Sequence, residues 1–439
     1  MNREEAERYI LARELFGMRF GLDRMLRLMT ALDHPERHFD SIHVVGTNGK
    51  SSTVRMIAAI LEEHGLRTGA YLSPHLVSFG ERIRIQDRDL PEAEFAAAIQ
   101  RAAQAAELVD RSLGGEERVT QFELLTAAAY SELALRRVQV AVIEAGLGGR
   151  YDATNVIPSK VQVLTSVGLE HTRWLGPTIA DIAAEKLAVV QEGGTLVLGP
   201  DLHPDADAVA EAVAEARRVR IVRAGTDPGV DVGALGAFQR VNFSVAIAAA
   251  AAYLGELDPR AVERAAAGVR VPGRLQILGE HPLTLLDGAH NPDGMAVLVR
   301  SLREILEERG ASSLVAVVSI LDDKDAAGML AALLPLCEAL VLTRSQNPRA
   351  LPPPTLQSLA GQLELDHSRA ARISEAGGRA RGEREPAMEI VADPRAALER
   401  ARELAIERHG RDGVVLATGS IYLIADLLRP ASEARASAL

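Results

Sequence analysis

Short β-branched runs separated by helical patterns recur along this sequence, and that alternation constrains its fold more than any other feature. The runs are Ile42–Val45, Val138–Ile143, Val161–Thr165, Thr195–Leu198 and Arg220–Val222, with helical patterns such as Ser52–Glu63, Phe122–Leu135 and Ile179–Val190 among them. Strands joined by helical crossovers pair in parallel, and the crossovers cover both faces of the sheet. The pattern restarts after Val271-Pro272-Gly273. Further strands are expected at Leu283–Leu286, Leu314–Val318, Ala339–Leu342, Glu389–Val391 and Val414–Ala417, with helices such as Pro394–Arg408. A chain of 439 residues exceeds the ~250–300 residues that one core usually serves. The expectation is an α/β protein of two domains, a larger one over residues 1–272 and a smaller one over 273–439. The polar, Gly- and Arg-rich stretch Ala370–Pro386 reads as a surface loop.

Apolar residues make up 47% and charged residues 25% of the chain, which excludes a disordered polymer. The net charge of −11 argues against a nucleic-acid or anionic-membrane binder, since both need a basic surface. A local basic pocket for a small anion stays open. The single cysteine, Cys337, permits neither an internal disulfide nor a cysteine zinc site. The N-terminal MNREEAERYILAREL is charged and amphipathic, unlike a secretory signal. The most apolar stretch, Val245–Leu254, is too short to span a bilayer. A cytoplasmic protein is expected. Lysine is scarce: Lys50, Lys160, Lys186 and Lys324 are the four among 49 basic residues. Where arginine serves as the generic cation, a lysine points to a compact point charge or to an amine that can lose its proton.

The segment His43-Val-Val-Gly-Thr-Asn-Gly-Lys50-Ser51-Ser52 runs from a strand through a Gly-containing turn into a helix. That geometry aims backbone N–H groups and the helix dipole at an anion. Lys50 would offset phosphate charge, and Ser51 or Ser52 could reach a metal. The segment departs from G-x-x-x-x-G-K-[ST], because Val44 stands where the first Gly would be. An ordinary strand–helix turn with a solvated Lys50 is the alternative.

The loop GTNGK resembles the phosphate loop of the Mur ligase superfamily. Further blocks narrow the resemblance to the folylpolyglutamate synthase/dihydrofolate synthase family. They are Tyr71-Leu-Ser73-Pro74-His75-Leu76 with Glu81-Arg82-Ile83, Phe122-Glu123-Leu-Leu-Thr126, and Glu144-Ala-Gly-Leu-Gly148-Gly149-Arg150-Tyr-Asp152-Ala-Thr154-Asn155. Thr165-Ser166-Val-Gly-Leu-Glu-His171, Glu185-Lys186, Pro272-Gly273-Arg274 and Asp287-Gly-Ala-His290-Asn291-Pro292 continue in family order. One departure is visible: the family usually reads GTNGKGS, and Ser51 replaces that Gly here. The resemblance implies a P-loop ATP-binding domain followed by a Rossmann-like α/β domain. It implies an ATP- and Mg2+-dependent ligase that adds L-glutamate to tetrahydrofolate, to 7,8-dihydropteroate or to both, through an acyl phosphate. Two magnesium sites and a monomer are expected, and the resemblance allows K+.

The same resemblance distributes roles. Gly46, Thr47, Asn48, Gly49, Lys50, Ser51 and Ser52 would bind ATP, with Asn242, Arg274, Asp287 and His290. Ser73, Glu144, His171 and Ser51 would hold magnesium, together with Lys186 carbamylated by CO2. Lys50, Glu144, His171 and Lys186 are the catalytic candidates. Ser73, Pro74, His75, Phe122, Glu123, Asp152, Ala153 and Thr154 would meet the pterin. Simpler readings stand beside several of these. Glu144 could be a helix N-cap or turn carboxylate, His171 a loop histidine, Lys186 a surface lysine and Phe122 a core residue. Asn242 opens an expected helix Asn242–Leu254, where Asn is a good N-cap. Asp323-Lys324-Asp325 matches a family block but reads equally as a solvated loop. A peptidoglycan Mur enzyme usually carries a UDP-binding domain before the phosphate loop, and only 45 residues precede Gly46. A partner-regulated P-loop NTPase is the alternative from another class. It would turn over ATP without needing both a pterin carboxylate and glutamate.

Overall fold

The computed structural model describes residues 1–13, 21–114, 117–374 and 386–430. The chain divides into two compact units. One is formed by Met1–Ala234 with Gln239–Arg270, the other by Leu235–Phe238 with the chain from Val271 onward.

The first unit is built on an eight-stranded sheet. In chain order its strands are β1 (Asp40–Val45), β2 (Thr68–Tyr71), β3 (Ile83–Ile85), β4 (Arg88–Asp89), β5 (Val140–Glu144), β6 (Val161–Leu164), β7 (Thr195–Leu198) and β8 (Arg220–Arg223). In space they run β4-β3-β2-β5-β1-β6-β7-β8. The six strands from β2 to β8 in that order pair in parallel, while β3 and β4 form an antiparallel edge. Ile42, Val44, Val45, Val140, Val142 and Val163 are fully buried, as expected of strands covered on both faces. The short β2 and the β3–β4 hairpin lack a long β-branched run and escape sequence-based reading. Gly69 in β2 admits the helix Gln121–Leu135: a Cβ there would lie 2.3 Å from Leu133 Cδ2.

The second unit holds a six-stranded sheet. Its strands are β9 (Gln276–Glu280), β10 (Leu283–Leu286), β11 (Leu314–Val318), β12 (Cys337–Leu342), β13 (Ala387–Ile390) and β14 (Val414–Thr418), in the order β13-β12-β11-β14-β10-β9. Only β9 is antiparallel to its neighbour. The two-unit α/β architecture agrees with the alternation read from sequence.

Two expectations are corrected. The helix Pro353–Ser374 continues through Ala370–Ser374, which the sequence reading placed in a surface loop. Alanine and arginine in that stretch favour helix. The rest of that expected loop, residues 375–385, lies outside the described residues. The helix expected to open at Asn242 spans Ala237–Leu254, so Asn242 lies inside it and is not its N-cap. Among the described residues no helix is long and apolar enough to cross a membrane.

Candidate active site

The phosphate-loop residues sit where β1 ends and the helix Lys50–Glu63 begins, at the carboxyl end of the parallel strands. Two glycines are demanded by space. A Cβ on Gly46 would lie 1.9 Å from Thr165 Oγ1, and one on Gly49, at φ 84°, would lie 2.6 Å from Asn242 Oδ1. Lys50 Nζ folds back over the loop, donating to the carbonyls of Gly46 (3.0 Å) and Thr47 (3.1 Å). The residues just past β6 clasp the loop. Thr165 Oγ1 and Ser166 Oγ donate to Asn48 O at 2.7 and 3.1 Å, and Thr47 N donates to Ser166 O at 2.8 Å. Thr165 and Ser166 were not singled out as site residues from sequence, although they lie in one of the recognised blocks. A Thr-Ser pair just beyond a parallel strand was the available signal.

Asn242 reaches the loop from the middle of its helix. Its Nδ2 donates to Gln239 Oε1 at 3.0 Å while its Oδ1 faces Gly49. The interior position therefore brings Asn242 to the Gly46–Lys50 loop.

A carboxylate and an amine close the other side of the loop. Glu144, the last residue of β5, is buried at 1% exposure. Ser51 Oγ donates to its Oε1 at 2.9 Å, and Ser73 N donates to its Oε2 at 3.2 Å. Ser51, rather than the buried Ser52, thus faces the carboxylate. Lys186, near the end of the helix Ile179–Leu187, is 4% exposed and donates from Nζ to Gly46 O at 2.8 Å. Burial, followed by the nearby Lys50 cation, lowers the Lys186 amine to about 7. A surface-lysine reading of Lys186 does not survive this burial. His171 is exposed, adopts φ 53° as the N-cap of the short helix Thr172–Leu175, and lies 3.8 Å from Glu170 Oε1.

The donor chemistry around Glu144 fits Mg2+, a hard cation that takes carboxylate and hydroxyl oxygens and keeps several waters. Among the described residues no group of three or more His, Cys, Asp or Glu could hold a metal.

The residues expected to meet the pterin fall into three places. Pro74 is exposed, and His75 is buried, accepting at Nδ1 from Arg82 Nε at 3.0 Å. Phe122 is half-buried, its ring 6.2 Å from that of Tyr71 and hard against Gly146. Glu123 is engaged locally: it completes the Thr120 capping box and receives Arg24 Nε at 3.0 and 3.1 Å. Asp152, Ala153 and Thr154 are buried in the loop after β5. Asp152 accepts from Leu147 N at 2.8 Å and Thr154 N at 3.0 Å, and its burial pushes it above the ordinary aspartate range.

In the second unit, Asp287 follows β10 and is buried. Its oxygens accept from Leu275 N (2.9 Å) and Ala289 N (2.8 Å), and burial again raises it, against Arg274. Arg274 Nη1 donates to Gly273 O at 3.0 Å, and His290 Nδ1 lies 2.9 Å from Gly288 O. Asp325, of the Asp323-Lys324-Asp325 block, caps the helix Ala326–Leu333, and Lys324 Nζ lies 3.7 Å from Asp323.

A family model described as the Mur ligase, glutamate ligase domain matches residues 273–421. The dihydrofolate synthase/folylpolyglutamate synthase of Bacillus subtilis is 31% identical over 97% of this chain and 98% of its own length. The chain belongs to this family. The Mycobacterium tuberculosis member is 36% identical over 78% of this chain and 77% of its own. A crystal structure of Mycobacterium tuberculosis folylpolyglutamate synthase complexed with ADP and AMPPCP superposes with a TM-score of 0.84, at 30% identity and 97% coverage of both chains. Escherichia coli FolC in complex with DHPP and ADP gives 0.81 at 25% identity, again over 97% of both chains. Like the family, this chain is an ATP-dependent amide-forming ligase, a folylpolyglutamate synthase/dihydrofolate synthase in kind.

Proposed function

We propose that the chain joins the amine of L-glutamate to the carboxylate of 7,8-dihydropteroate, of a tetrahydrofolate, or of both, with release of ADP and phosphate. A carboxylate and an amine do not condense in water, so the carboxylate needs an activated leaving group. A carboxylate oxygen attacks the γ-phosphorus of ATP and ADP departs, giving an acyl phosphate. The glutamate nitrogen then attacks the acyl carbon, phosphate leaves, and the nitrogen loses its proton. The protein's work is positioning and charge stabilisation.

The observation that carries this reading is the meeting of Lys50 and Lys186 on one carbonyl, that of Gly46. Lys50, on a loop that presents N–H groups to phosphate, supplies the positive charge for a polyanion, and Lys186 brings beside it an amine that can lose its proton. Lys50 would take the transferring phosphoryl group. Glu144, Ser51, Ser73 and His171 would hold Mg2+, which supplies Lewis-acid stabilisation of phosphoryl charge when bound. Lys186 supports the carbamate role because its lowered amine is substantially neutral near pH 7. Its neutral nitrogen can attack CO2, forming an N–C bond and releasing a proton, so that the uncharged amine becomes an anion. Asn242, Arg274, Asp287 and His290 are the proposed further nucleotide residues. Phe122 and the Asp152–Thr154 loop are the proposed pterin face.

The test is an assay of the purified protein with ATP, glutamate and either dihydropteroate or tetrahydrofolate, products being identified by mass. ADP release that needs both the pterin carboxylate and glutamate is expected. ADP release indifferent to both would replace this reading with an NTPase.

A further inference from the structure

His43 has no role in the ligase chemistry described so far, yet it is a fully buried histidine three residues before Gly46. It lies on β1, and burial alone lowers its imidazole to about 4, so the ring is neutral. Its Nε2 lies 2.8 Å from Thr154 Oγ1. The Thr154 hydroxyl has one proton, and it donates that proton to Asp152 Oδ1. The hydroxyl must therefore accept from His43, which fixes the Nε2–H tautomer. Among the described residues His43 Nδ1 is buried without a hydrogen-bond partner. Among the described residues the ring is thus held through one nitrogen, by its contact with Thr154.

The other end of this chain is the Asp152 carboxylate, which also receives Leu147 N and Thr154 N. Tyr130 Oη donates to Thr154 O at 2.9 Å, closing the same knot from the helix Gln121–Leu135. The carboxylate therefore sets the path of residues 146–154. That path is held tightly at two further points. A Cβ on Gly146 would meet the Phe122 ring at 2.6 Å, and one on Gly149 would meet Lys186 O at 2.5 Å. A small rotation of Asp152 has little free space to absorb it. It would displace the loop against the aromatic face proposed for the pterin.

We infer that His43 is a positioning residue for the pterin substrate: through the Thr154 hydroxyl it holds Asp152, and with it the Gly146–Thr154 loop, in the geometry that receives the pterin. The inference deepens the proposed ligase function and rests on it. Asp152 and Thr154 belong to the loop proposed for the pterin, whereas His43 acts only through them. Removing the His43 N–H leaves the Thr154 hydroxyl with an unfilled acceptor, and the hydroxyl is then free to turn from Asp152.

The experiment is steady-state kinetics of the full chain with ATP and glutamate, varying dihydropteroate and tetrahydrofolate in turn, on His43→Leu, His43→Gln, Thr154→Val and the double variant His43→Leu/Thr154→Val. Thermal melts accompany each variant. His43→Leu should raise the KM for the pterin about tenfold, the scale of losing one buried hydrogen bond to a charged network. Its KM for ATP should stay within about twofold, a shift too small to represent a lost contact. His43→Gln, whose amide N–H can still reach Thr154, should recover most of the loss. Thr154→Val keeps the side-chain shape and removes only the hydroxyl, so it reports on the relay even if His43→Leu folds poorly. The double variant should be no worse than Thr154→Val alone, because His43 acts through that hydroxyl. An unchanged pterin KM in a normally melting Thr154→Val would overturn the relay. So would an equal rise in the KM for ATP, or a His43→Gln as impaired as His43→Leu. A wild-type enzyme that uses neither pterin would instead refute the proposed function.

Discussion

Replacing Lys186 with arginine tests the site most sharply. The lysine amine is 4% exposed and lowered from 10.5 to about 7, mainly by burial and next by Lys50. At pH 7 about half of such amines are neutral, against roughly one in three thousand at the ordinary value. Only the neutral amine takes up CO2. A guanidinium stays protonated at every accessible pH, so Lys186→Arg keeps the cation and loses the carbamate. The expected loss of ligation is ~10²-fold or more, the scale of removing one preorganised electrostatic group. Mass analysis of the wild type should show an added carboxyl group on Lys186, and the arginine variant should show none. A lysine kept only for its positive charge would tolerate arginine in a chain with four lysines among 49 basic residues. Full activity of Lys186→Arg would therefore refute the carbamate reasoning.

Stability gives an independent reading of the same side chain. The folded value lies below the unfolded one, so the unfolded chain binds the extra proton between about pH 7 and 10.5. Stability then rises with pH across that window. At pH 7.5 the penalty of the unmodified amine is about 4 kcal/mol, at ~1.36 kcal/mol per unit. Lys186→Met removes it, and Gly46 O keeps its second donor, Lys50 Nζ, at 3.0 Å. Calorimetry in CO2-free buffer at pH 7.5 should show Lys186→Met melting above the wild type while lacking ligase activity. Lys186→Arg should melt below it. The gap between wild type and Lys186→Met should shrink as pH approaches 10. A methionine variant that melts lower at every pH would show that the buried amine stabilises the fold instead.

Three further outcomes are expected. Lys50→Ala should lose ~10²-fold or more in ADP release if, as proposed, its ammonium is the counter-charge to the transferring group, and arginine should not restore it. Gly46→Ala should abolish ATP binding in a nucleotide titration, because the new Cβ would lie 1.9 Å from Thr165 Oγ1; adding Thr165→Ala should restore part of it. Glu123→Gln leaves Arg24 charged at 7% exposure without its carboxylate, and a denaturant melt should show a loss of roughly 3 kcal/mol, as for other broken buried pairs.

What the sequence disclosed and what it withheld divide along a physical line. The buried parallel strands were legible because burial on both faces requires continuous apolar runs, and Leu283–Leu286 and Leu314–Val318 match the observed β10 and β11 end to end. The β2 strand carries Gly69 instead of a β-branched residue, and β9 exposes Ile277 and Leu278, so neither offered such a run. The start of the helix Ala237–Leu254 was misplaced because no Ser, Thr, Asp or Asn precedes Ala237, and Asn242 supplied a false cap signal. The loop, Glu144 and Lys186 stand out in the sequence because their residue types suggest charge chemistry. What holds them does not. Thr165 and Ser166 bond to Asn48 across 117 and 118 positions, and His43 bonds to Thr154 across 111. Partners that distant leave no local pattern, since each reads alone as an ordinary strand or turn residue. Only the sheet order, which sets β1 between β5 and β6, brings the carboxyl ends of these segments into reach of one another. The charged groups proposed for the chemistry are therefore readable one by one, while the neutral hydroxyls and the imidazole bonded behind them become visible only once the strands are paired.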